Sequence, residues 1–68
     1  MEVSFSTVPR GERGERELPE GARAQDLVRE LGLPTAAVLV IRDGRPIPID
    51  EPLDDGDELE VVYVASGG

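Results

Sequence analysis

The sequence predicts an α+β fold of two layers, with one main helix packed on one face of a mixed, four- to five-stranded sheet. Three observations carry this. Near one end Val3, Phe5 and Thr7 alternate with Glu2, Ser4 and Ser6. Near the other, Leu59, Val61 and Tyr63 alternate with Glu58, Glu60, Val62 and Val64. Both patterns are those of strands with one buried face. Between them, Ala24, Leu27, Val28 and Leu31 fall at i, i+3, i+4 and i+7, a single helical stripe. One helix covers one face of one sheet, so the first and last strands should pair in the middle, both next to the helix.

The elements follow in order. After the first strand, residues 9–14 hold Pro9, Gly11 and Gly14 among charges and should turn. Residues 15–18 then read as a short return strand, although Glu is depleted in strands. The helix is expected over residues 24–31. Gly32 stands where a left-handed cap belongs, and Pro34 forbids continuation. No Ser, Thr, Asp or Asn directly precedes Ala24, so its N-terminus lacks the usual cap. Residues 36–42 are β-branched and aliphatic and should form a central strand. Asp43-Gly44 suits a type I′ hairpin turn, which needs positive φ at both central positions. Residues 45–49 would return along an edge, because Pro46 and Pro48 cannot donate ladder hydrogen bonds. Residues 52–57 form an acidic turn and residues 58–64 the last strand.

Composition excludes several functions. The 68 residues allow one domain. The chain has neither cysteine nor histidine, which removes Ser-His-Asp and Cys-His catalysis and the usual zinc sites. The net charge is −8, which disfavours a phosphate backbone as partner and favours a basic protein surface. All seven basic residues are arginine. That lysine-free, acidic composition fits both a salt-loving source and a high-GC genome. The N-terminus has no basic, apolar leader pattern, and the longest apolar run, residues 36–41, is too short to span a bilayer. No membrane association and a cytoplasmic location are therefore expected.

Candidate functional residues lie at the C-terminus and on the strands. The sequence ends Ala65-Ser66-Gly67-Gly68, a small-residue segment expected to be flexible beyond a domain of residues 1–64. A terminal carboxylate, with a pKa of about 3.3–3.7, is ionised at neutral pH. Glycines lack a Cβ, so the backbone at Gly67-Gly68 can thread a narrow tunnel. As the sequence stops at Gly68, no proteolytic maturation is expected. Leu39, Ile41, Val62 and Val64 fall opposite the expected core set of Val38, Val40, Leu59, Val61 and Tyr63. If they face outward together, they form an apolar patch of the kind that marks partner surfaces. The acidic residues Asp50, Glu51, Asp54, Asp55, Asp57 and Glu58 do not match a calcium-loop spacing. They read as a solvated turn, or as an electrostatic handle for a basic partner. Arg42 and Arg45 read as surface charge, with docking as the alternative.

Four internal segments and the tail resemble the β-grasp ubiquitin-like superfamily, in its small archaeal modifier and sulfur-carrier branch. The segments are Leu18-Pro19-Glu20-Gly21, Asp26-Leu27-Val28-Arg29-Glu30-Leu31-Gly32-Leu33, Val40-Ile41-Arg42-Asp43-Gly44-Arg45-Pro46 and Leu53-Asp54-Asp55-Gly56-Asp57-Glu58-Leu59-Glu60-Val61, followed by Gly67-Gly68. The resemblance implies a carrier and not an enzyme, with no cofactor bound by the chain itself. An activating enzyme using ATP and magnesium would adenylate the Gly68 carboxylate, with Ser66 and Gly67 in its tunnel. The acyl group would then pass to a lysine of a target protein or, through a sulfur donor, become a thiocarboxylate for a sulfur-acceptor enzyme. Two alternatives stand beside it. One is a sulfur carrier without protein conjugation, serving thiamine synthesis or as the small subunit of a molybdopterin synthase. The other is a plain interaction module with an incidental diglycine. A free monomer suits a carrier that visits several enzymes. Without lysine, only the Met1 amine could accept a second copy, so single rather than polymeric conjugation is expected.

Overall fold

The computed structural model describes residues 1–64. Five strands and one α-helix form the two layers: β1 Glu2–Val8, β2 Arg13–Glu17, α1 Ala24–Glu30, β3 Val38–Arg42, β4 Arg45–Ile47 and β5 Glu58–Tyr63, with one 3₁₀ turn at Thr35–Ala37. The sheet order is β2-β1-β5-β3-β4. β5 lies at the centre, parallel to β1 and antiparallel to β3. A parallel pair needs a crossover connection, and α1 is part of it. This is the mixed sheet with one helix that the sequence predicts.

The core lies between α1 and one sheet face. Val3, Phe5, Val40, Leu59 and Val61 meet Ala24, Leu27 and Val28 of the helix, with Leu18, Ala22 and Leu53 closing the sides. Leu27, Val28, Val40 and Val61 are fully buried. Two expected core residues behave differently. Val38 is only partly buried, and Tyr63 is exposed. Both sit on the inner face as a cross-strand pair, but the seven-residue helix is too short to cover that end. An open cleft of about 360 Å³ remains there, lined by Phe5, Leu31, Leu33, Val61 and Tyr63 among others.

Strand boundaries shift for local reasons. β2 starts at Arg13, two residues before the expected start, although it buries no residue of its own. Its hairpin is held by Thr7, whose carbonyl accepts the Gly11 N–H at 2.7 Å and whose hydroxyl accepts the Glu12 N–H at 3.0 Å. Gly14 lies opposite Phe5. A Cβ there would come within 3.1 Å of the Phe5 ring, so the ring spreads over space that a side chain would fill. The Arg16 guanidinium sits 5.1 Å from the ring centroid, which covers the aromatic face with a charged group that keeps its head in water. β3 begins at Val38 because residues 35–37 are spent on the 3₁₀ turn. β4 stops before Pro48 and lies on the sheet edge, where a proline-rich strand belongs. Asp43 and Gly44 have φ of 55° and 77°, as the hairpin turn requires.

Both helix ends are capped. At the C-terminus Gly32 adopts φ of 73°. Its N–H donates to the Arg29 carbonyl at 3.0 Å, and the Leu33 N–H donates to the Val28 carbonyl at 3.1 Å. That pair of bonds is the Schellman arrangement. At the N-terminus the missing Ser or Asp is replaced from elsewhere. Asp26 Oδ2 accepts the Arg23 N–H at 2.8 Å, half of a capping box. The Ala24 and Gln25 N–H groups donate to the carbonyls of Glu51 and Ile49 at 2.9 and 2.7 Å.

The segment after β4 is thus a strut beneath the helix start, and Arg42 clasps its far side. The Arg42 side chain is 20% exposed and pairs with Glu51 Oε2 at 2.9 Å and Asp57 Oδ2 at 3.2 Å. It also donates to the Pro52 carbonyl at 3.2 Å. Burial acts to lower the guanidinium pKa, but the hydrogen bonds to Asp57 and Glu51 outweigh it and raise it. Arg42 is therefore not free surface charge, and the acidic turn is not simply solvated. Asp57 Oδ2 also accepts the Asp54 N–H at 2.8 Å, and Asp55 Oδ1 accepts the Glu2 N–H at 2.7 Å.

Two measurements check this account. Leu27→Ala should cost about 2–5 kcal/mol, comparable to the whole margin of a domain this size. The variant should show mostly unfolded circular dichroism at 25 °C without denaturant. Arg42→Met keeps the apolar stem and removes the clasp. Because Glu51 is partly in solvent, the loss should be about 1 kcal/mol, read as a lower urea midpoint with an unchanged slope.

Candidate functional site

The face of the sheet turned away from α1 changes chemistry along its length. Cross-strand pairing places Ser4 beside Glu58, and Glu60 between Ser6 and Ile41. The next row is Val8, Val62 and Leu39 across β1, β5 and β3. Val64 lies one step further, its N–H donating to the Ala37 carbonyl at 2.8 Å. The face therefore runs from polar to apolar in the direction in which β5 leaves the sheet. Leu39, Val8 and Val64 are 43, 38 and 52% exposed, while Ile41 and Val62 are half-buried.

Of the sequence-derived set, Leu39, Val62 and Val64 come together at the C-terminal end of β5, and Ile41 lies one row back, opposite Glu60. Val8 completes the row and was missed. Its signal was available, because continuing the alternation from Ser4 and Ser6 puts residue 8 on the outer face. Ser66, Gly67 and Gly68 lie outside the described residues.

The electrostatics are simpler than the residue count implies. Of the acidic turn, Glu51 and Asp57 share the single positive charge of Arg42, and Asp55 accepts the Glu2 N–H. Glu58 and Glu60 stand on the outer face at its polar end, and Arg45 is exposed on the β4 edge. Among the described residues no cluster of His, Cys, Asp or Glu is placed to hold a metal ion, and no helix is long and apolar enough to cross a membrane. What remains is an apolar patch on the outer face at the C-terminal end of β5.

Comparison with known proteins agrees with this geometry. The model of the family described as small archaeal modifier protein 2 matches residues 1–65. An uncharacterized protein of Archaeoglobus fulgidus is 38% identical over 48 residues, covering 71% of this chain and 70% of its own length. Among solved structures, a putative molybdopterin converting factor, subunit 1, from Pyrococcus furiosus superposes with a TM-score of 0.76 at 27% identity, over 94% of this chain and 98% of its own. SAMP1 from Haloferax volcanii gives 0.73 at 19% identity, with both chains fully covered. The ubiquitin of Caldiarchaeum subterraneum gives 0.74 at 20% identity, over 100% of this chain and 98% of its own. At those two identities the likeness establishes the fold. Taken with the order of strands, the family match over nearly the whole length places this chain in the small archaeal modifier protein 2 family of β-grasp, ubiquitin-like modifier and sulfur-carrier proteins.

Proposed function

We propose that this chain is a carrier of an activated C-terminal acyl group, and that Gly68 is the residue activated. A partner enzyme binds ATP and magnesium. The Gly68 carboxylate attacks the α-phosphorus of ATP, an acyl phosphate bond forms and pyrophosphate leaves. A lysine amine of a target protein then displaces AMP and loses a proton, giving an isopeptide bond. Alternatively a sulfur donor displaces AMP and leaves a carbon–sulfur bond, the route to a thiocarboxylate. Gly68 is substrate throughout, and the catalytic groups belong to the partner.

The observation that carries this reading is the position of the apolar row. Val8, Val62, Leu39 and Val64 surround the exit of β5, so an enzyme that grips this face has the next four residues within reach of a nearby active site. Glycine at the last two positions admits that segment to a narrow channel. Docking on this face is part of the proposal. The sulfur-carrier route has its own support, because the relative at 27% identity is described as a subunit of a molybdopterin converting factor.

Two variants test the proposal in extract of the source cells supplied with ATP and magnesium. Removal of Gly67-Gly68 should abolish both heavier, reductant-resistant conjugates and any thiocarboxylate form of the intact protein. A plain interaction module would keep its partners after that deletion. Leu39→Asp with Val64→Asp should keep the fold, since both side chains are largely exposed, yet slow adenylation about tenfold or more. Normal adenylation of a folded double variant would remove the docking surface from the proposal. Conjugates need a suitable search. Trypsin cuts after Arg42 and the Arg45-Pro46 bond resists it, so a tryptic remnant spans residues 43–68 unless Ser66→Arg is introduced.

A further inference from the structure

β2 is an open edge of the sheet. It heads the order β2-β1-β5-β3-β4, and none of its residues is buried. Its backbone is only half used. The Glu12 carbonyl accepts the Thr7 N–H, and the Leu18 N–H donates to the Met1 carbonyl, both at 2.8 Å. Hydrogen-bonded positions alternate in an antiparallel pair, so the β1–β2 register gives the same role to Gly14 and Arg16. The N–H and C=O groups of Arg13, Glu15 and Glu17 therefore point away from β1. The Glu15 carbonyl accepts Arg16 Nη1 at 3.0 Å, and its second lone pair stays available. The opposite edge of the sheet is closed to strand addition. β4 is three residues long, and Arg42 with Arg45 closes its two-residue hairpin. Pro46 thus turns its backbone outward, where proline offers no N–H.

The charges along β2 define the strand that fits this edge. Read outward from Gly14, one direction gives Arg13 then Glu12, and the other gives Glu15 then Arg16. The two halves mirror each other with sign reversed. We propose that β2 is a self-recognition edge, through which two copies of this chain pair antiparallel about a two-fold axis at Gly14 and join their sheets into one. The inference does not rest on the Gly68 proposal.

Hydrogen bonding and charge select the same register. With the axis at Gly14, Arg13 faces Glu15 of the second copy, and these are the positions whose backbone groups are free. Glu12 faces Arg16 of the second copy on the helix side of the sheet. Glu12 is otherwise paired with Arg10 at 3.6 Å, with both side chains largely exposed, a contact weak enough to exchange. An axis at Arg13, Glu15 or Arg16 would set a charge against itself. Gly14 carries none, and it has no side chain where the two strands come closest, at about 4.5 Å between Cα atoms. Charged edges ordinarily turn other strands away. This one rejects an apolar or unmatched strand for that reason and accepts its own copy, because opposite charges directly across a strand pair attract. The contact is shorter than a stable dimer requires, so the pair is weak and the free monomer prevails in dilute solution. The axis stands perpendicular to the sheet, which puts both helices on one side and both outer faces on the other. The two apolar rows stay uncovered. Five strand spacings separate one β5 from the other, about 24 Å.

Sedimentation of the native chain at up to about 1 mM reads a contact this weak. The buffer holds about 0.15 M salt, which screens repulsion between two acidic chains beyond roughly 8 Å. The weight-average mass should climb with concentration toward twice that of the monomer. Arg13→Glu and Glu15→Arg each set like charges opposite one another. Both sites are exposed, so each variant should keep its native circular dichroism and pair about tenfold more weakly or worse. For Glu15→Arg that result runs against bulk charge, since the variant is less negative overall. An equimolar mixture of the two variants sets opposite charges together on both sides of the axis and should pair as the native chain does. A native chain that stays monomeric at the highest concentration would overturn the inference, as would a mixture that pairs no better than its components. Pairing lost in Leu39→Asp with Val64→Asp, yet kept in both charge variants, would also overturn it by moving the self-contact to the outer face. The Gly68 proposal is read separately, by deletion of Gly67-Gly68 in extract.

Discussion

The parallel pairing of β1 with β5 is the constraint on which the rest of the structure depends. Five residues of each strand pair, from Ser4 with Glu58 to Val8 with Val62. Because the chain must return to run in the same direction, everything between is a crossover, and α1 fills it on one face only. That leaves the other face open. The same pairing delivers the end of β5 to that open face at its apolar end. A helix on one side, an uncovered face on the other and the end of β5 at its apolar rim are consequences of one strand arrangement.

The segment from Pro48 to Asp57 shows how a small fold compensates for what its helix lacks. A seven-residue helix is far below the length at which helices are stable alone, and α1 has no side-chain N-cap of the usual kind. Backbone carbonyls of Ile49 and Glu51 take that role. Glu51 is itself held in place by Arg42, which gathers Glu51, Pro52 and Asp57 at one end of β3. The acidic residues there are therefore largely structural. The turn still carries negative charge, since one guanidinium serves two carboxylates and Asp50, Asp54 and Asp55 are exposed, and Glu58 and Glu60 add to it on the outer face.

Much of this fold was legible in the sequence, for identifiable reasons. Period-two alternation located β1 and β5, the 3.6-residue stripe located α1, and Asp43-Gly44 located the β3–β4 hairpin. These signals are local. What was hidden is long-range. The capping of α1 comes from Ile49 and Glu51, far along the chain, so no local pattern announces it. Arg42 finds Glu51 and Asp57 only after β3 and the loop before β5 are placed, so it reads in sequence as one more surface charge. Tyr63 alternates correctly into the inner face and yet remains exposed, because alternation says which face a residue points to and not how far the helix extends over it. The outer apolar patch was legible in its β3 and β5 members. Val8 was lost by ending the first strand one residue early. The residues of greatest chemical interest, Gly67 and Gly68, were legible only as a sequence motif.

The central place of β5 also bears on how the protein is made. Strands β1 and β3 cannot close the sheet until β5 lies between them, and β5 is the last element to leave the ribosome. A nascent chain that stops short of Glu58 would leave Val3, Phe5 and Val40 without their neighbour and would be recognised as unfolded. Native structure thus certifies that synthesis has passed Tyr63, so a folded sheet reports on the making of its own last strand.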